Sequence, residues 1–443
     1  MCANKCDKRK KCLTVAMFFI IKLCLKIYKR LWRITLNEVL CTSLLLCVCF
    51  VFWTFKGYRK TNNSGQSEYP TIMWWTKGFP GAFETKHCAQ DIRCSIYNNG
   101  SVTHVNNVEA YLFYGSNIDF NHLPLPKKSE QIWGLYHEES PRNVEELMHE
   151  QILRMFNYSS TLSRYSDVPF PLQHLESIEH ITNEEYFVTT FEKNIFLNEI
   201  APVMYLQSDC ETSTERDAYV KELMKYIEVD SYGSCLNNKQ LPSKFVDDYL
   251  NHLSDDEFLK FISRYKFIVA IENGVCEDYV TEKFWRAIRV GTVPIYFGSP
   301  SIRDWLPNKK SVILLEDFPT PKLLSEHLKK LLEDDMLYEQ YLEHKIYQII
   351  TNERLITDFR MRPHQMDPLK TIEEFECFIC DKLHKRRKGI YDKRIVDKRH
   401  YNCPKPLSAL SLAVNSQNDW VFSWEQAKKR ANEIYKRNNG QER

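Results

Sequence analysis

Short apolar runs alternate along the chain with stretches in which apolar residues recur every three or four positions, the pattern of strands followed by helices. The clearest case is Tyr265–Pro300, YKFIVAIENGVCEDYVTEKFWRAIRVGTVPIYFGSP. Lys266–Ile271 is a β-branched, nearly continuous apolar run suited to a strand buried on both faces. Glu272–Val280 is too polar to extend it. From about Thr281 the spacing of Phe284, Trp285 and Ile288, closed by Gly291, predicts an amphipathic helix. Val293–Phe297 is a second strand, broken by Gly298-Ser299-Pro300. This βαβ unit sets Asn273, Tyr279, Glu282 and Lys283 beyond a strand's carboxyl end, at a helix N-terminus whose free N–H groups suit a phosphate. GxGxxG and GxxxxGK[ST] are both missing, so dinucleotide and P-loop readings lose ground. On spacing alone, Glu282 and Lys283 read equally well as solvated residues of a first helical turn.

Upstream, Thr71–Trp75, Ala110–Tyr114 and Ile132–Tyr136 are strand candidates of a first α/β region. A mixed segment with Pro169 and Pro171, running to about Ile200, connects it to a second region. There Pro202–Gln207, Val229–Tyr232 and Ser311–Leu315 read as strands, and about Thr214–Ile227 and Phe258–Tyr265 as helices. Thr320-Pro321 caps and starts a helix to about Leu332. The alternation predicts an α/β fold of two doubly wound, Rossmann-like domains facing a cleft, over 70–200 and 201–365, with a C-terminal extension over 366–443.

A length of 443 residues with 43% hydrophobic composition supports about two domains. The net charge of +2 gives no argument for a nucleic-acid partner. Near the start, Val39–Phe55 is an uncharged apolar run at the short end for a bilayer-spanning helix. Lys and Arg crowd its N-terminal side from Lys5 to Arg33, against Lys56, Arg59 and Lys60 behind it. The positive-inside rule then puts 1–36 in the cytosol, a signal anchor over 37–55, a stem over 56–69 and the remainder in a secretory lumen. Leu13–Ile27, interrupted by Lys22 and Lys26, reads as an amphipathic interfacial segment.

Among fifteen cysteines, Cys88 and Cys94 flank a turn and Cys377 and Cys380 form a CxxC. In the cytosol CxxC suggests redox chemistry or half a zinc site; in the lumen, short-range structural disulfides are the simpler expectation. Sequons at Asn62, Asn99 and Asn157 agree with a lumenal region. The basic segment Lys382–His400 reads as a solvated or retention-related tail.

A second chemical candidate is His137-Glu138-Glu139-Ser140-Pro141-Arg142-Asn143, directly after a strand. Adjacent carboxylates raise each other's proton affinity, which helps a general base near neutral pH; an ordinary charged loop is the plainer alternative. A third is Arg216, near a helix start, where a planar guanidinium suits a phosphate oxyanion or is merely solvated.

Taken together, ESPxN around Glu139, FNYSSTLSRYSDVPF at Phe156–Phe170, and ENxxxxDYVTEK with VPIYFGSP at Glu272–Pro300 resemble the α1,3-fucosyltransferase family, glycosyltransferase family 10. The resemblance implies a GT-B-type pair of Rossmann-like domains and inverting transfer from GDP-fucose. It makes Glu139 the general base toward the acceptor hydroxyl and Arg216 and Lys283 the cations on the diphosphate. Asn273, Tyr279 and Glu282 become further donor-site residues. Two fixed cations and helix N–H groups suffice for GDP to leave, so no metal and no other cofactor is implied. Gln207–Asn238, FECFIC and the late Trp424–Lys429 helix are similar to the divergent branch linked to protein O-fucosylation of EMI domains in the endoplasmic reticulum. The implied acceptor is a Ser or Thr hydroxyl. The alternatives are the O3 of N-acetylglucosamine on an N-glycan, transfer from another GDP-sugar, and a catalytically silent lumenal binder or chaperone. The implied place is a single-pass type II protein of the endoplasmic reticulum or Golgi, with the catalytic region lumenal.

Overall fold

Most of the apolar runs become strands of two largely parallel sheets, and helical stretches cover their faces. The computed structural model describes residues 68–77, 79, 83–98, 107–245, 253 and 255–440. Val39–Phe55, Leu13–Ile27, Asn62 and Asn99 lie outside the described residues. Among the described residues no helix is long and apolar enough to cross a membrane.

The first sheet contains β1 (Thr71–Trp74), β2 (Glu84–His87), β3 (Arg93–Asn98), β4 (Ala110–Tyr114), β5 (Ile132–His137) and β6 (Tyr158–Thr161), in the order β2-β3-β1-β4-β5-β6. Only the edge hairpin β2–β3 is antiparallel, with Lys86 opposite Cys94. The second sheet is wholly parallel: β7 (Val203–Leu206), β8 (Val229–Tyr232), β9 (Phe267–Ile271), β10 (Val293–Phe297) and β11 (Ile313–Leu314), in the order β11-β10-β9-β7-β8. Pro294 sits in central β10 without disrupting pairing. Val293 donates to Lys266 of the β9 side, so the nitrogen of Pro294 faces short β11, whose pairing begins only at Ile295.

Among the helices are α1 (Arg216–Leu223), α2 (Asp256–Ile262), α3 (Glu282–Arg289), α4 (Pro321–Glu333), α5 (Pro368–Arg387) and α6 (Asp419–Asn438). Phe267, Val269 and Ile271 pack on one face of the second sheet with Leu324 and Leu328 of α4. Ala270 faces the other way, toward Phe284, Trp285 and Ile288 of α3. The expected cap holds: the Thr320 hydroxyl accepts from Leu323 N–H at 3.2 Å, ahead of Pro321.

The C-terminal region folds back on the first sheet. Ile372, Phe375, Ile379 and Leu383 form the apolar stripe of α5 and join the core with Trp74, Leu112 and Trp133. A Cβ at Gly134 would lie 2.7 Å from Leu112 and 2.8 Å from Phe375, so β5 needs glycine where α5 crosses it. All four candidate cysteines are in disulfides, but the short-range pairing is not the one formed. Cys88 bonds Cys377 and Cys94 bonds Cys380, across sequence separations of 289 and 286, rather than within each short pair. Cys377 and Cys380 stand one turn apart on the same side of α5, facing the hairpin that carries the other two. Cys210–Cys235 and Cys276–Cys403 are further disulfides.

One more expectation changes, and Asn157 gains structural partners. The basic segment Lys382–His400 is not a solvated tail: Leu383, Val396 and His400 are buried, and Arg387 pairs with Glu109. Asn157 is used inside the fold. Its Oδ1 accepts from Lys127 Nζ at 2.6 Å and Trp133 N–H at 2.9 Å, its Nδ2 donates to the Arg394 carbonyl at 3.3 Å, and the sequon's Ser159 is fully buried.

Candidate active site

The carboxyl ends of β5 and β9 face each other, and their loops, 138–143 and 272–281, approach closely. A Cβ at Gly274 would lie 3.4 Å from Arg142 Cβ, 3.6 Å from Ser213 Oγ and 3.7 Å from Ser140 Oγ.

Glu272 organises the second loop. Fully buried at the end of β9, it accepts from Thr281 N–H and from Thr281 Oγ1, each at 2.8 Å. This closes the loop on itself and leaves Thr281 as the N-cap of α3. A Cβ at Gly298 would come within 2.6 Å of Glu272, so the turn after β10 needs glycine to admit the carboxylate. Burial pushes Glu272 toward the protonated form, with Lys283, 3.7 Å away, opposing it. Lys283 Nζ donates to Thr281 Oγ1 at 3.1 Å and Glu282 Oε1 at 3.0 Å. For Glu282 burial also favours protonation, but Lys283, His174 and Arg286 outweigh it and hold the carboxylate well below the usual range.

Asn273 and Tyr279 lie on the same loop. The Asn273 carbonyl accepts from Ser213 Oγ at 2.7 Å, and its buried Oδ1 has no partner among the described residues. Tyr279 is buried in the core of the first sheet and its phenol is raised well above 10 by burial, so it stays a hydrogen-bond donor. Asp278, at φ 61°, receives Arg164 from the segment after β6, while Arg164 stacks over Trp305 at 4.4 Å. Arg216 starts α1 and is buried. Its Nη2 donates to the Asp209 carbonyl at 2.6 Å, its Nη1 reaches the Ile271 carbonyl at 3.3 Å, and its buried Nε has no partner among the described residues.

Across the crevice the two glutamates separate. Glu138 is half-buried and accepts from the Tyr114 hydroxyl at 2.6 Å; burial is the main cause of its raised pKa, and Glu139 contributes least. Glu139 is exposed. Asn273, Tyr279, Glu282 and Lys283 thus share the loop after β9 and the start of α3, Arg216 bonds the Ile271 carbonyl at the base of that loop, and Glu139 lies on the loop that approaches it.

Sequence reasoning missed several residues there. Arg142, only 11% exposed, pairs with Asp209 at 3.0 Å and stacks over Trp420 at 4.5 Å, while its Nε and Nη1 have no partner among the described residues. Its position inside ESPxN was the available signal. The strap 396–403 gave none. His400 Nδ1 meets Ser159 Oγ at 2.5 Å, and Tyr401 OH meets His137 Nδ1 at 2.7 Å. The Tyr401 carbonyl accepts from Glu277 N–H at 3.1 Å, and Cys403 bonds Cys276. The strap thus ties the ends of β5 and β6 to the loop after β9. The half-zinc reading of CxxC also closes: Cys94, Cys380 and His384 lie together, but both sulfurs are in a disulfide.

Residues 67–173 match the family described as fucosyltransferase, N-terminal, and residues 198–397 match glycosyltransferase family 10 (fucosyltransferase) C-term. GDP-fucose protein O-fucosyltransferase 3 of Homo sapiens is 40% identical over 392 residues, covering 85% of this chain and 81% of that one. The chain belongs to the family 10 fucosyltransferases. Alpha-(1,3)-fucosyltransferase B of Drosophila melanogaster is 41% identical over 340 residues, 75% of each chain. A solved alpha1,3-fucosyltransferase with GDP-fucose aligns over 69% of this chain and 92% of that one, with 16% identity and a TM-score of 0.38. The enzyme is a GDP-fucose fucosyltransferase. Its two family matches carry the two loops of the crevice, Glu139 in the first and Glu272–Lys283 in the second, whereas Tyr401, Cys403 and α6 lie beyond both.

Proposed function

We propose that this fucosyltransferase transfers fucose, with inversion, from GDP-fucose to a Ser or Thr hydroxyl of a folded EMI-type domain. The observation that carries the reading is the exposed carboxylate of Glu139 at the end of β5, facing the closed loop that presents Lys283 and Glu282. Glu139 takes the acceptor hydroxyl's proton as the oxygen attacks the anomeric carbon from the side opposite GDP. Lys283 gives up its present partners to the departing diphosphate, and Arg216, bonded to the carbonyl of the residue before Glu272, supports that loop and offers its free Nε–H. Fixed cations then do the work a metal ion does elsewhere, so EDTA should leave turnover unchanged; complete loss restored by manganese would contradict this. The expected setting is the lumen of the endoplasmic reticulum or Golgi behind an N-terminal anchor, consistent with the disulfides of the folded region.

The protein acceptor draws on the naming of the human relative as a protein O-fucosyltransferase. The name of the Drosophila relative gives an alpha-(1,3) linkage, and transfer to the O3 of N-acetylglucosamine on an N-glycan is the second reading. Incubating the protein with GDP-fucose and either a folded EMI domain or a GlcNAc-terminated glycopeptide, then locating the added deoxyhexose by mass spectrometry, decides between them.

A further inference from the structure

A cavity of about 710 Å³ opens beside the crevice. One wall comes from the residues after β4 and β5, including Ser116, Arg142 and Asn143, so it begins within a few residues of Glu139. The opposite wall is α6, through Trp420, Arg430, Ile434 and Arg437. Specific bonds hold that helix in place. Asn418 Nδ2 donates to the Ser213 carbonyl at 3.0 Å, Trp420 Nε1 to the Glu211 carbonyl at 3.0 Å, and Arg430 Nε to Glu146 at 2.7 Å. Arg142 lies at the junction, its guanidinium shared between Asp209 of the donor half and the face of Trp420.

The family matches end at residue 397, so α6 lies outside the segments they cover. The loop after β9 and the start of α3 lie within those segments, and α6 walls the side of the crevice next to Glu139, where the acceptor must enter. The lining mixes carboxylates, Glu145, Glu146 and Glu433, with guanidinium groups, Arg430 and Arg437, around apolar Ile118 and Phe120. Glu433 and Arg437 are exposed on one side of α6, four residues apart, and neither forms an ion pair among the described residues. Charges of both signs on a rim complement a polypeptide surface, which carries both; a neutral glycan has none to offer.

We propose that this cavity docks the acceptor: it receives a surface loop of a folded polypeptide bearing both charge signs and delivers that loop's hydroxyl to Glu139. The proposal rests on the polypeptide-acceptor reading above. The test compares wild-type full-length protein with a charge-exchanged double variant, Glu433→Arg with Arg437→Glu, and a milder Arg437→Gln, each checked for unchanged melting temperature. The expected result is a KM for the EMI domain raised about tenfold in the double variant and about threefold in Arg437→Gln, consistent with the modest worth of rim charges, while the KM for GDP-fucose stays the same. An unchanged KM for the EMI domain in both variants overturns the dock and leaves the polypeptide reading intact. A wild-type enzyme that modifies only the glycopeptide overturns that reading and the dock with it. A raised KM for the glycopeptide in the same variants assigns the cavity to a glycan and overturns the proposal alone.

Discussion

Glu138 turns inward to accept the Tyr114 hydroxyl, and this leaves Glu139 in water with a free carboxylate. Environment, not type, divides the roles of two adjacent glutamates. Glu139→Gln keeps the shape and removes the basic oxygen, so kcat should fall by about 10²–10⁴-fold while GDP affinity, measured by calorimetry, stays unchanged. Turnover at the wild-type rate would remove Glu139 from this role. Lys283→Ala should do the reverse to binding, weakening GDP by about tenfold or more through loss of a charge-assisted bond. In the same site Glu272 loses its two Thr281 bonds only if the loop opens, which is why it belongs to the architecture of the crevice rather than to its ligands.

At the level of elements, the loop after β9 is held from three directions: by Glu272 beneath it, by Arg164 on Asp278, and by the strap through Cys276–Cys403. Cys403→Ser cuts the covalent part of the last, leaving the bond from Glu277 N–H to the Tyr401 carbonyl and the first two anchors. The expected outcome is a KM for GDP-fucose raised about fivefold with little change in melting temperature, since a local opening of a few tenths to one kcal/mol is enough; an unaltered KM would show that the other two anchors suffice. The βαβ unit around this loop was legible in the sequence because β9 and β10 are buried on both faces and read as apolar runs. β2, with the polar sequence ETKH, lies exposed at an edge, and β6, YSST, buries hydroxyls that bond to Ser166, His400 and the Val168 carbonyl. Neither carries an apolar signature. The strap was illegible for a different reason: its meaning lies in partners such as His137 and Cys276, more than a hundred residues earlier.

Over the whole molecule, the two disulfides on α5 act as one clasp. Either alone closes a loop of nearly 290 residues, so with one intact the other constrains only about ten further residues. Cys88→Ser or Cys94→Ser should each cost about 3 kcal/mol, and the double variant more than twice that; equal losses for single and double would break the argument. Acid should also loosen the fold. His137 and His344 are held down to about 3, and His149 and His400 to about 4, in each case mainly by burial. Their depressed values favour folding above the unfolded value of about 6.5, and that contribution is lost as the unfolded chain takes up protons below it. Buried Glu272 and Glu376, shifted up by burial, offset part of this. The melting temperature should fall between pH 6.5 and 4, and a rise over that interval in thermal scans would contradict the account.

The return of α5 to β2 and β3 also fixes an order of events during synthesis. The first sheet leaves the ribosome early, yet Trp74 hydrogen-bonds Glu376 and Cys94 awaits Cys380, nearly three hundred residues later. Until those residues arrive, the strand bearing Glu139 lacks the helix that covers Gly134. Half-made chains therefore hold an uncovered sheet face and reactive thiols, and a premature stop anywhere before α5 leaves the first sheet without its cover as surely as it removes the tail.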